Sequence, residues 1–417
     1  MNDRWPRILV PLRHRDFRLL WTGQTVSSFG NHVQSIAMPF QLLALGASPL
    51  QLGIAVALDT LSGVVFLLVG GAVADRVARR TLIIASDLLG GCVVAVVAFL
   101  SATNQLRIEH VYVARVALGA ADAFLRPAYT AIIADIVPTD VLRAGNAARL
   151  LGRSVARIAG PAVGGVAVAL GGPALAFGIN ALTFVFSIGT LLLASPARRA
   201  VASSVSLLRD IREGFSYVFS VGWLWTTTLY FMAVNFAYAG QPGVLTPLLV
   251  RDVLAGDAET FGAIMSAYGV GSILASVVVA QLAIRRPGRV LFAFELLAGV
   301  AVLAIGLLPS SLPVVVSMAI MGMGLSSSTV IWEALLQRHV PERMLGRVAS
   351  IDLLGNSLIN PMAPIAAAAL VGSIGPAGTF VAAAAYAMVL ASIGLVASPL
   401  RRIDEGISYA ERPRPSQ

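Results

Sequence analysis

Between two long apolar runs lies a short cationic stretch, GGAVADRVARR, which extends from Gly70 to Arg80. The run before it, Leu52–Gly70, and the run after it, Thr81–Leu100, each contain a single acidic residue. A predominantly apolar run of about 20 residues is the length that a helix needs to cross a bilayer. The pattern therefore predicts two membrane-spanning helices joined by a cationic turn that stays outside the hydrocarbon.

The composition of the whole chain is that of an integral membrane protein. Hydrophobic residues make up 57% of the 417 residues and charged residues only 12%, with a mean hydropathy of +0.82, whereas soluble domains carry about 25% charged residues. Apolar runs are centred near residues 32, 62, 91, 122, 157, 184, 235, 271, 298, 324, 359 and 387. We therefore predict an all-α membrane protein with twelve transmembrane helices.

The distribution of arginine predicts how these helices are oriented. All 30 basic residues are arginine, and 24 of them fall in one alternate set of connections, against two in the opposite set. Cytoplasmic loops carry such an excess of positive charge, so both termini are predicted to lie on the cytoplasmic side of the cell membrane. The net charge of +9 then indicates contact with an anionic inner leaflet, and not nucleic-acid binding.

The chain also contains an internal repeat. Shifting it by 203 residues aligns Val137–Phe177 with Val340–Phe380, and 13 of the 41 aligned positions are identical, among them a Gly-Pro-Ala turn in each copy. This predicts two parallel, pseudo-symmetric six-helix bundles, residues 1–194 and 221–400. Residues 195–220 are predicted to form a cytoplasmic linker with an amphipathic helix, and residues 401–417 a disordered cytoplasmic tail.

Three motifs in this setting resemble those of the major facilitator superfamily. The loop matches the signature G-x-x-x-D-R-x-x-R-R through Gly71, Asp75, Arg76, Arg79 and Arg80. The fifth span resembles the G-P-x-x-G-G motif through Gly152, Gly160, Pro161, Gly164 and Gly165, and the fourth carries R-x-x-x-G from Arg115. In the stretches Phe17–Asn31 and Asn146–Gly165, the chain most resembles the drug/metabolite:proton antiporter branch that contains macrolide and siderophore exporters.

This resemblance implies that the cationic loop belongs to a cytoplasmic gate. Asp75 is expected at the start of the eleventh helix, near residues 346–349, where unpaired backbone N–H groups favour an anion. Asp135, at the inner end of the fourth helix, is expected to pair with Arg79 or Arg76. These contacts would hold the two halves together when the protein is open to the outside.

Charged residues inside the spans are functional candidates, because charge within hydrocarbon is costly. Counting outward from the turn between the fourth and fifth spans places Asp122 and Arg157 at the same depth, about 20 Å from the turn. We predict that the Asp122 carboxylate lies within salt-bridge reach of Arg157 or Arg126. If transport is coupled to protons, Asp122 or Asp59 is expected to bind the proton, with Arg115 in the same charge relay.

Several uncharged polar residues of the spans are candidates for lining a substrate path. They are Asn31, His32 and Gln34 in the first span, and Asn235 and Gln241 in the seventh. A lone histidine within the membrane is equally often a hydrogen-bonding packing residue, so both interpretations of His32 stay open.

Other residues of the spans are expected to be structural. Asp87 and Glu295 are predicted to be partly solvated charges near the inner ends of the third and ninth spans. Cys92, the single cysteine, is predicted to be a buried and unreactive thiol. Trp21 and Trp223 are predicted to be interfacial anchors, since tryptophan is enriched at membrane–water interfaces.

The sequence excludes several classes of function. A chain without lysine has no Walker A loop and no Schiff-base cofactor, and no motif for metal or acyl-transfer chemistry is present, so neither an enzymatic activity nor a cofactor is expected. The leading hypothesis is proton-coupled export of a small amphipathic or hydrophobic molecule by a monomer, through alternating access. Two alternatives stay open: a non-transporting membrane sensor or scaffold of the same fold, and an uptake permease.

Overall fold

A computed structural model describes residues 7–74, 77–195, 207–397, 399–400 and 404. The described residues form helices throughout: α1 (Arg15–Ala44), α2 (Pro49–Ala74), α3 (Arg79–Ala102), α4 (Ile108–Ile136), α5 (Leu142–Leu193), α6 (Leu207–Ser220), α7 (Gly222–Ala239), α8 (Thr246–Asp252), α9 (Ala258–Val279), α10 (Pro287–Leu307), α11 (Ser311–His339), α12 (Glu342–Ile359) and α13 (Met362–Ala397). A short 3-10 helix, Arg7–Arg13, precedes α1, and a π-helical turn, Gln241–Leu245, joins α7 to α8.

Within the described part of the chain, eight helices are long and apolar enough to cross a membrane, and the α7–α8 passage adds a ninth when it is taken with α6. Two of the eight, α5 and α13, each contain two spans, because they bend at Gly172 and Gly375. α1 is a further span, because its charged residues all lie in its first turn, and it brings the total to twelve. α12 is not counted separately, because it extends the first span of α13. The predicted number of spans is therefore confirmed.

The two bends have nearly the same geometry, which supports the internal repeat. Gly172 has φ +67° and ψ −178°, and Gly375 has φ +71° and ψ 173°, a backbone conformation that is essentially restricted to glycine. Proline follows each glycine and starts the next span, where its fixed φ suits the first turn of a helix. The Gly-Pro-Ala turns that align in the sequence are thus equivalent turns in the structure.

The helices pack into two halves, which we call the N-terminal half (α1–α5) and the C-terminal half (α7–α13). In the first half, α5 packs along α1 and α3, and α4 packs on α2 and α3; in the second, α11 packs between α9 and α10, and α13 on α7 and α10. Large apolar side chains face outward, with Leu170 79% and Leu182 70% exposed. Such a surface is stable in lipid and would aggregate in water.

The linker and the tail are described in part. The predicted amphipathic helix of the linker is α6, and Glu213 on it forms an ion pair with Arg347 of α12 at 2.6 Å. Most of residues 401–417 lie outside the described residues. Asp404 is the exception: its carboxylate accepts hydrogen bonds from the backbone N–H groups of Gly288 (2.8 Å) and Arg289 (3.0 Å) at the start of α10. The predicted disorder of residues 401–417 stays a prediction, since the other residues of this segment lie outside the described part of the chain.

The two carboxylates predicted to be partly solvated are instead buried. Asp87 is 0% exposed and Glu295 2%. Asp87 accepts hydrogen bonds from the Gln24 amide (2.9 Å) and the Ser187 hydroxyl (2.7 Å), and Glu295 lies near Ser328 and Tyr230. The prediction was wrong because position along a helix fixes depth in the membrane but not the direction in which a side chain points.

The predictions for Cys92 and Trp223 fail for the same reason. Cys92 is exposed on the outer surface of α3. Trp223 is only 2% exposed and packs edge-on against the rings of Trp332 and His339, each with centroids 6.0 Å away. Trp21 is partly buried, and its indole N–H donates to the carbonyl of Ala148 at 2.7 Å.

Candidate functional site

The cationic loop is fixed to the N-terminal half by its last two arginines. Arg79 Nη1 lies 2.6 Å from Asp135 Oδ1 and donates to the carbonyl of Ala131 at 3.0 Å. Arg80 donates to the carbonyls of Leu191 (2.9 Å) and Leu192 (3.0 Å) at the end of α5. The last carbonyls of a helix lack intrahelical partners and favour a cation. The predicted pairing of Asp135 with Arg79 is confirmed.

The structure describes the other residues of the predicted gate only through their backbone, or does not describe them. Gly71 lies in the last turns of α2, while Asp75 and Arg76 lie outside the described residues. The contact of Asp75 with the start of the eleventh span therefore stays a prediction. Arg79 and Arg80 make their described contacts within one half, so these contacts position the loop and do not by themselves join the halves.

A cluster of four charges lies between α2 and α4. Arg126 Nη2 is 2.9 Å from Asp122 Oδ2, one helical turn away on α4, and Arg115 Nη1 is 3.8 Å from Asp59 Oδ1 on α2. The predicted salt bridge between Asp122 and Arg126 is therefore confirmed. Among the described residues, no ion pair joins Asp122 to Arg157.

The glycines of the fifth span bring three helices into close contact. A Cβ atom added at Gly164 would lie 2.6 Å from the carbonyl oxygen of Val33 on α1, and one added at Gly165 would lie 2.7 Å from that of Ala258 on α9. Gly160 lies against His32, Gly152 against Thr25, and Pro161 against Gly262 of α9. Only small residues permit backbones to approach so closely.

Among the described residues, the two most extensive contacts between the halves lie at one end of the molecule. One is the contact of α5 with α9, where Ser266 also donates a hydrogen bond to the carbonyl of Ile158 at 2.9 Å. The other is the contact of α2 with α13, where a Cβ atom at Gly53 would lie 2.7 Å from the carbonyl oxygen of Pro364. We call this the closed end. It is opposite the end that carries the cationic loop.

The polar candidates of the first span are largely used in packing. The amide nitrogen of Asn180, in the sixth span, donates to Gln34 Oε1 (2.6 Å) and Asn31 Oδ1 (3.2 Å), and Gln34 is buried. His32 Nδ1 lies 2.8 Å from the carbonyl oxygen of Ser28. The two contacts of Asn180 hold α1 to the second half of α5, whereas that of His32 is within α1. None of the three candidates lines the cavity of the C-terminal half.

That cavity has a volume of about 290 Å³, and the candidates Asn235 and Gln241 both contribute to its wall. The other lining residues are Tyr238, Ala239, Pro242, Thr246, Met265, Tyr268, Met318, Met321, Leu325 and Asn360. Four buried polar atoms here, on Tyr238, Gln241, Thr246 and Asn360, make no hydrogen bond within the described structure. Unsatisfied buried polar groups are rare and call for an explanation such as a ligand.

The sequence did not reveal the three methionines or Asn360 as members of this wall. Met318 and Met321 are three residues apart on α11, which puts them on one face, and Asn360 precedes Pro361 at the break between α12 and α13. Both signals are present in the sequence. Neither shows that the residues meet Met265 of α9, because that depends on how the helices pack.

We expect the Arg79–Asp135 pair to be required for a well-positioned loop. Its side chains are 28% and 9% exposed, and removing one partner leaves a partly buried charge without compensation. Asp135→Asn and Arg79→Gln should each slow transport, while the exchanged pair Arg79→Asp/Asp135→Arg should recover part of the loss, with a coupling energy of about 0.5–3 kcal/mol. Initial transport rates of the four proteins measure this coupling; additive losses would contradict it.

Comparison with known proteins places the chain in a family. Residues 7–322 match the family model described as "Transmembrane secretion effector", and residues 242–416 match that of the "Major Facilitator Superfamily". The chain is 26% identical to the multidrug efflux pump Tap of Mycolicibacterium fortuitum, over 90% of this chain and 94% of that protein. It is 24% identical to macrolide efflux protein A of Streptococcus pyogenes, over 93% and 97%.

The fold has solved counterparts as well. The crystal structure of the nucleoside transporter NupG superimposes with a TM-score of 0.75 over 91% of this chain and 98% of that one, at 13% sequence identity. The first family model covers more than half of the chain, and the motif, the twelve spans and the two halves agree with it. The protein therefore belongs to the transmembrane secretion effector family of the major facilitator superfamily, and it is a membrane transporter.

Proposed function

We propose that the protein exports a small amphipathic molecule across the cell membrane in exchange for protons. The observation that carries this proposal is the cavity of the C-terminal half, which lies near the contact of the two halves and contains four polar atoms without partners. A cavity of this kind is suited to a ligand that brings both apolar surface and hydrogen-bonding groups. A sensor or scaffold of the same fold would not need it.

The direction of transport is inferred from orientation and from the relatives. The excess of arginine on alternate connections supports cytoplasmic termini, which puts the closed end on the outer side and the cationic loop inside. The structure then corresponds to a state that receives substrate from the cytoplasm. Two relatives that align over most of their length are named as efflux proteins, which favours export over uptake.

The transport cycle follows from the two halves. The close contacts at the closed end separate as the halves rock, and the cationic loop then closes the cytoplasmic end. We propose that Asp75 and Arg76 take part in that closure, and that the charge cluster of Asp59, Arg115, Asp122 and Arg126 carries the coupling proton. The arginine-rich cytoplasmic face contacts anionic lipid, and the monomer contains the whole pathway.

Transport into inside-out vesicles tests this function. The probes are 8-anilinonaphthalene-1-sulfonate and its uncharged parent, N-phenyl-1-naphthylamine. We expect protein-dependent accumulation of probe when the vesicle lumen is acidic, and its loss when an uncoupler removes the gradient. Accumulation without a gradient would contradict proton coupling, accumulation only in right-side-out vesicles would indicate uptake, and no transport in either would favour a sensor or scaffold.

A further inference from the structure

We propose that Arg149, Arg153 and Arg157 of α5 form an anion-binding site, and that the substrate is an amphipathic anion. This inference deepens the proposed function by naming the chemical class of the molecule that is moved. The negative group of the substrate binds to the arginines in the N-terminal half. Its apolar part occupies the methionine-lined cavity of the C-terminal half.

The three arginines form a positively charged stripe on one side of α5. They are spaced four residues apart, so their side chains lie above one another on the same face of the helix. Like charges at this spacing repel, and the charges of Arg126 and Arg149 both act on Arg153. Arg126 and Arg153 are exposed, and Arg149 and Arg157 are half-buried, so this concentration of positive charge is accessible to an anion from solution.

The described residues do not supply enough negative charge. Asp122 is the one carboxylate that acts on Arg153, and its oxygen is already bound to Arg126 at 2.9 Å. Among the described residues, Arg149, Arg153 and Arg157 have no ion-pair partner, and the buried Nε of Arg149 has no hydrogen-bond acceptor. Charge inside a membrane protein that is not paired internally is typical of a substrate or ion pathway.

The position of the stripe excludes a simple topological role. Arg157 lies fifteen residues after the start of α5 at Leu142, which is about 22 Å along the helix and close to the middle of the bilayer. The rule that places arginine at the cytoplasmic surface applies to loops and helix ends. It accounts for an arginine such as Arg143, in the first turn, but not for Arg153 or Arg157.

Arg157 also lies close to the cavity, since its carbonyl oxygen would be 3.2 Å from a Cβ atom added at Gly269, the neighbour of Tyr268. The charge of Arg157 acts both on His32 of α1 and on Tyr268 of α9, and Tyr268 lines the cavity. The described wall of the cavity contains no charged residue and includes Met265, Met318 and Met321. Methionine is flexible and polarizable and adapts to varied apolar surfaces. One molecule can therefore place an anionic group on α5 and an apolar group against α9 and α11.

A matched pair of probes tests this assignment. The compound 8-anilinonaphthalene-1-sulfonate differs from N-phenyl-1-naphthylamine by one sulfonate group, so the difference between them reports the charge. Binding of both is measured to the full-length protein in lipid nanodiscs, after subtraction of empty nanodiscs. We expect the double variant Arg153→Gln/Arg157→Gln to bind the sulfonate at least about tenfold more weakly, because charge-assisted hydrogen bonds are lost, and the uncharged probe with less than about twofold change.

Two controls make the result specific. Arg143→Gln removes the same charge in the first turn of α5 and should bind both probes as the wild type does, whereas Arg153→Lys/Arg157→Lys should retain part of the preference for the sulfonate. Failure of the sulfonate to bind, equal affinity of the wild type for both probes, or equal weakening of both by the Gln variants would overturn the proposal. Because binding is measured without a gradient, a preference for the anion in a protein that does not transport would leave this inference intact and refute export.

Discussion

Replacing Gly165 by valine is expected to abolish transport by preventing the closed end from forming. A Cβ atom at this position would lie 2.7 Å from the carbonyl oxygen of Ala258 and 2.9 Å from the Cα atom of Glu259. Both atoms belong to the backbone of α9, in the other half of the protein. They cannot move aside as a flexible side chain can, so the halves themselves have to separate.

The expected size of this effect follows from the cost of overpacking. Extra atoms in a well-packed contact cost about 1–3 kcal/mol, and the two methyl groups of valine put the change at the upper end. Since about 1.4 kcal/mol corresponds to a tenfold change in an equilibrium constant, the closed end becomes about 10- to 100-fold less populated relative to the open one. A transporter that cannot close one end cannot complete its cycle.

Transport and cysteine labelling measure the two consequences separately. In a Cys92→Ser background, Ser266→Cys puts a thiol at the contact of α5 with α9, where the native hydroxyl donates to Ile158. A membrane-impermeant maleimide added from outside should label this thiol faster in Gly165→Val. Gly178→Val is the matched control, because no atom lies within 4 Å of the added Cβ there. Wild-type transport by Gly165→Val would refute the steric argument.

The correct predictions from the sequence all depend on the spacing of residues along the chain. The number of spans, the equivalence of the Gly172 and Gly375 turns, and the pair formed by Asp122 with Arg126 all depend on residues close in sequence or on a repeated pattern. The Arg79–Asp135 pair is not local, but it joins helix ends that adjoin because the loops are short. In each case the depth of a residue in the membrane was sufficient information.

What the sequence could not give was the direction in which side chains point. Asp87 and Cys92 lie on the same helix, yet the first is buried in the bundle and the second is exposed. The cavity likewise needs residues from helices that are distant in sequence, such as Tyr238, Met265 and Met318. In a membrane span both faces are apolar, so the alternation of polar and apolar residues that reveals the buried face of a soluble helix is weak.

The second large effect is expected from Asp122→Asn, which should uncouple transport from the proton gradient. In this structure the Asp122 side chain is 42% exposed and its partner Arg126 is 70% exposed, so the pair is in contact with solvent. Closing the cytoplasmic end removes that solvent. A carboxylate that loses water without full compensation binds a proton instead, which links the conformational change to proton uptake and release.

The variant removes this link without removing the side chain. Asparagine is neutral in both conformations, so the ends can open and close without a proton, and substrate should equilibrate across the membrane instead of accumulating. With the membrane potential clamped, a gradient of one pH unit is worth about 1.4 kcal/mol per proton, or about tenfold accumulation by the wild type. Exchange of labelled for unlabelled substrate should persist in the variant, which shows that it is folded and mobile.

Asp59 provides the decisive comparison, because it is the other candidate carrier. Its side chain is 39% exposed, and it lies 3.8 Å from Arg115, a looser pair than the 2.9 Å contact of Asp122 with Arg126. We therefore expect Asp59→Asn to slow transport while keeping its response to an imposed pH gradient, and Asp122→Glu to restore the response, since it returns a titratable carboxyl near Arg126. If Asp122→Asn accumulates substrate against a gradient as the wild type does, Asp122 is not the carrier. Loss of the response in Asp59→Asn alone would identify Asp59 of α2 as the proton carrier. The carboxylate that binds the proton would then be the partner of Arg115 and not the partner of Arg126.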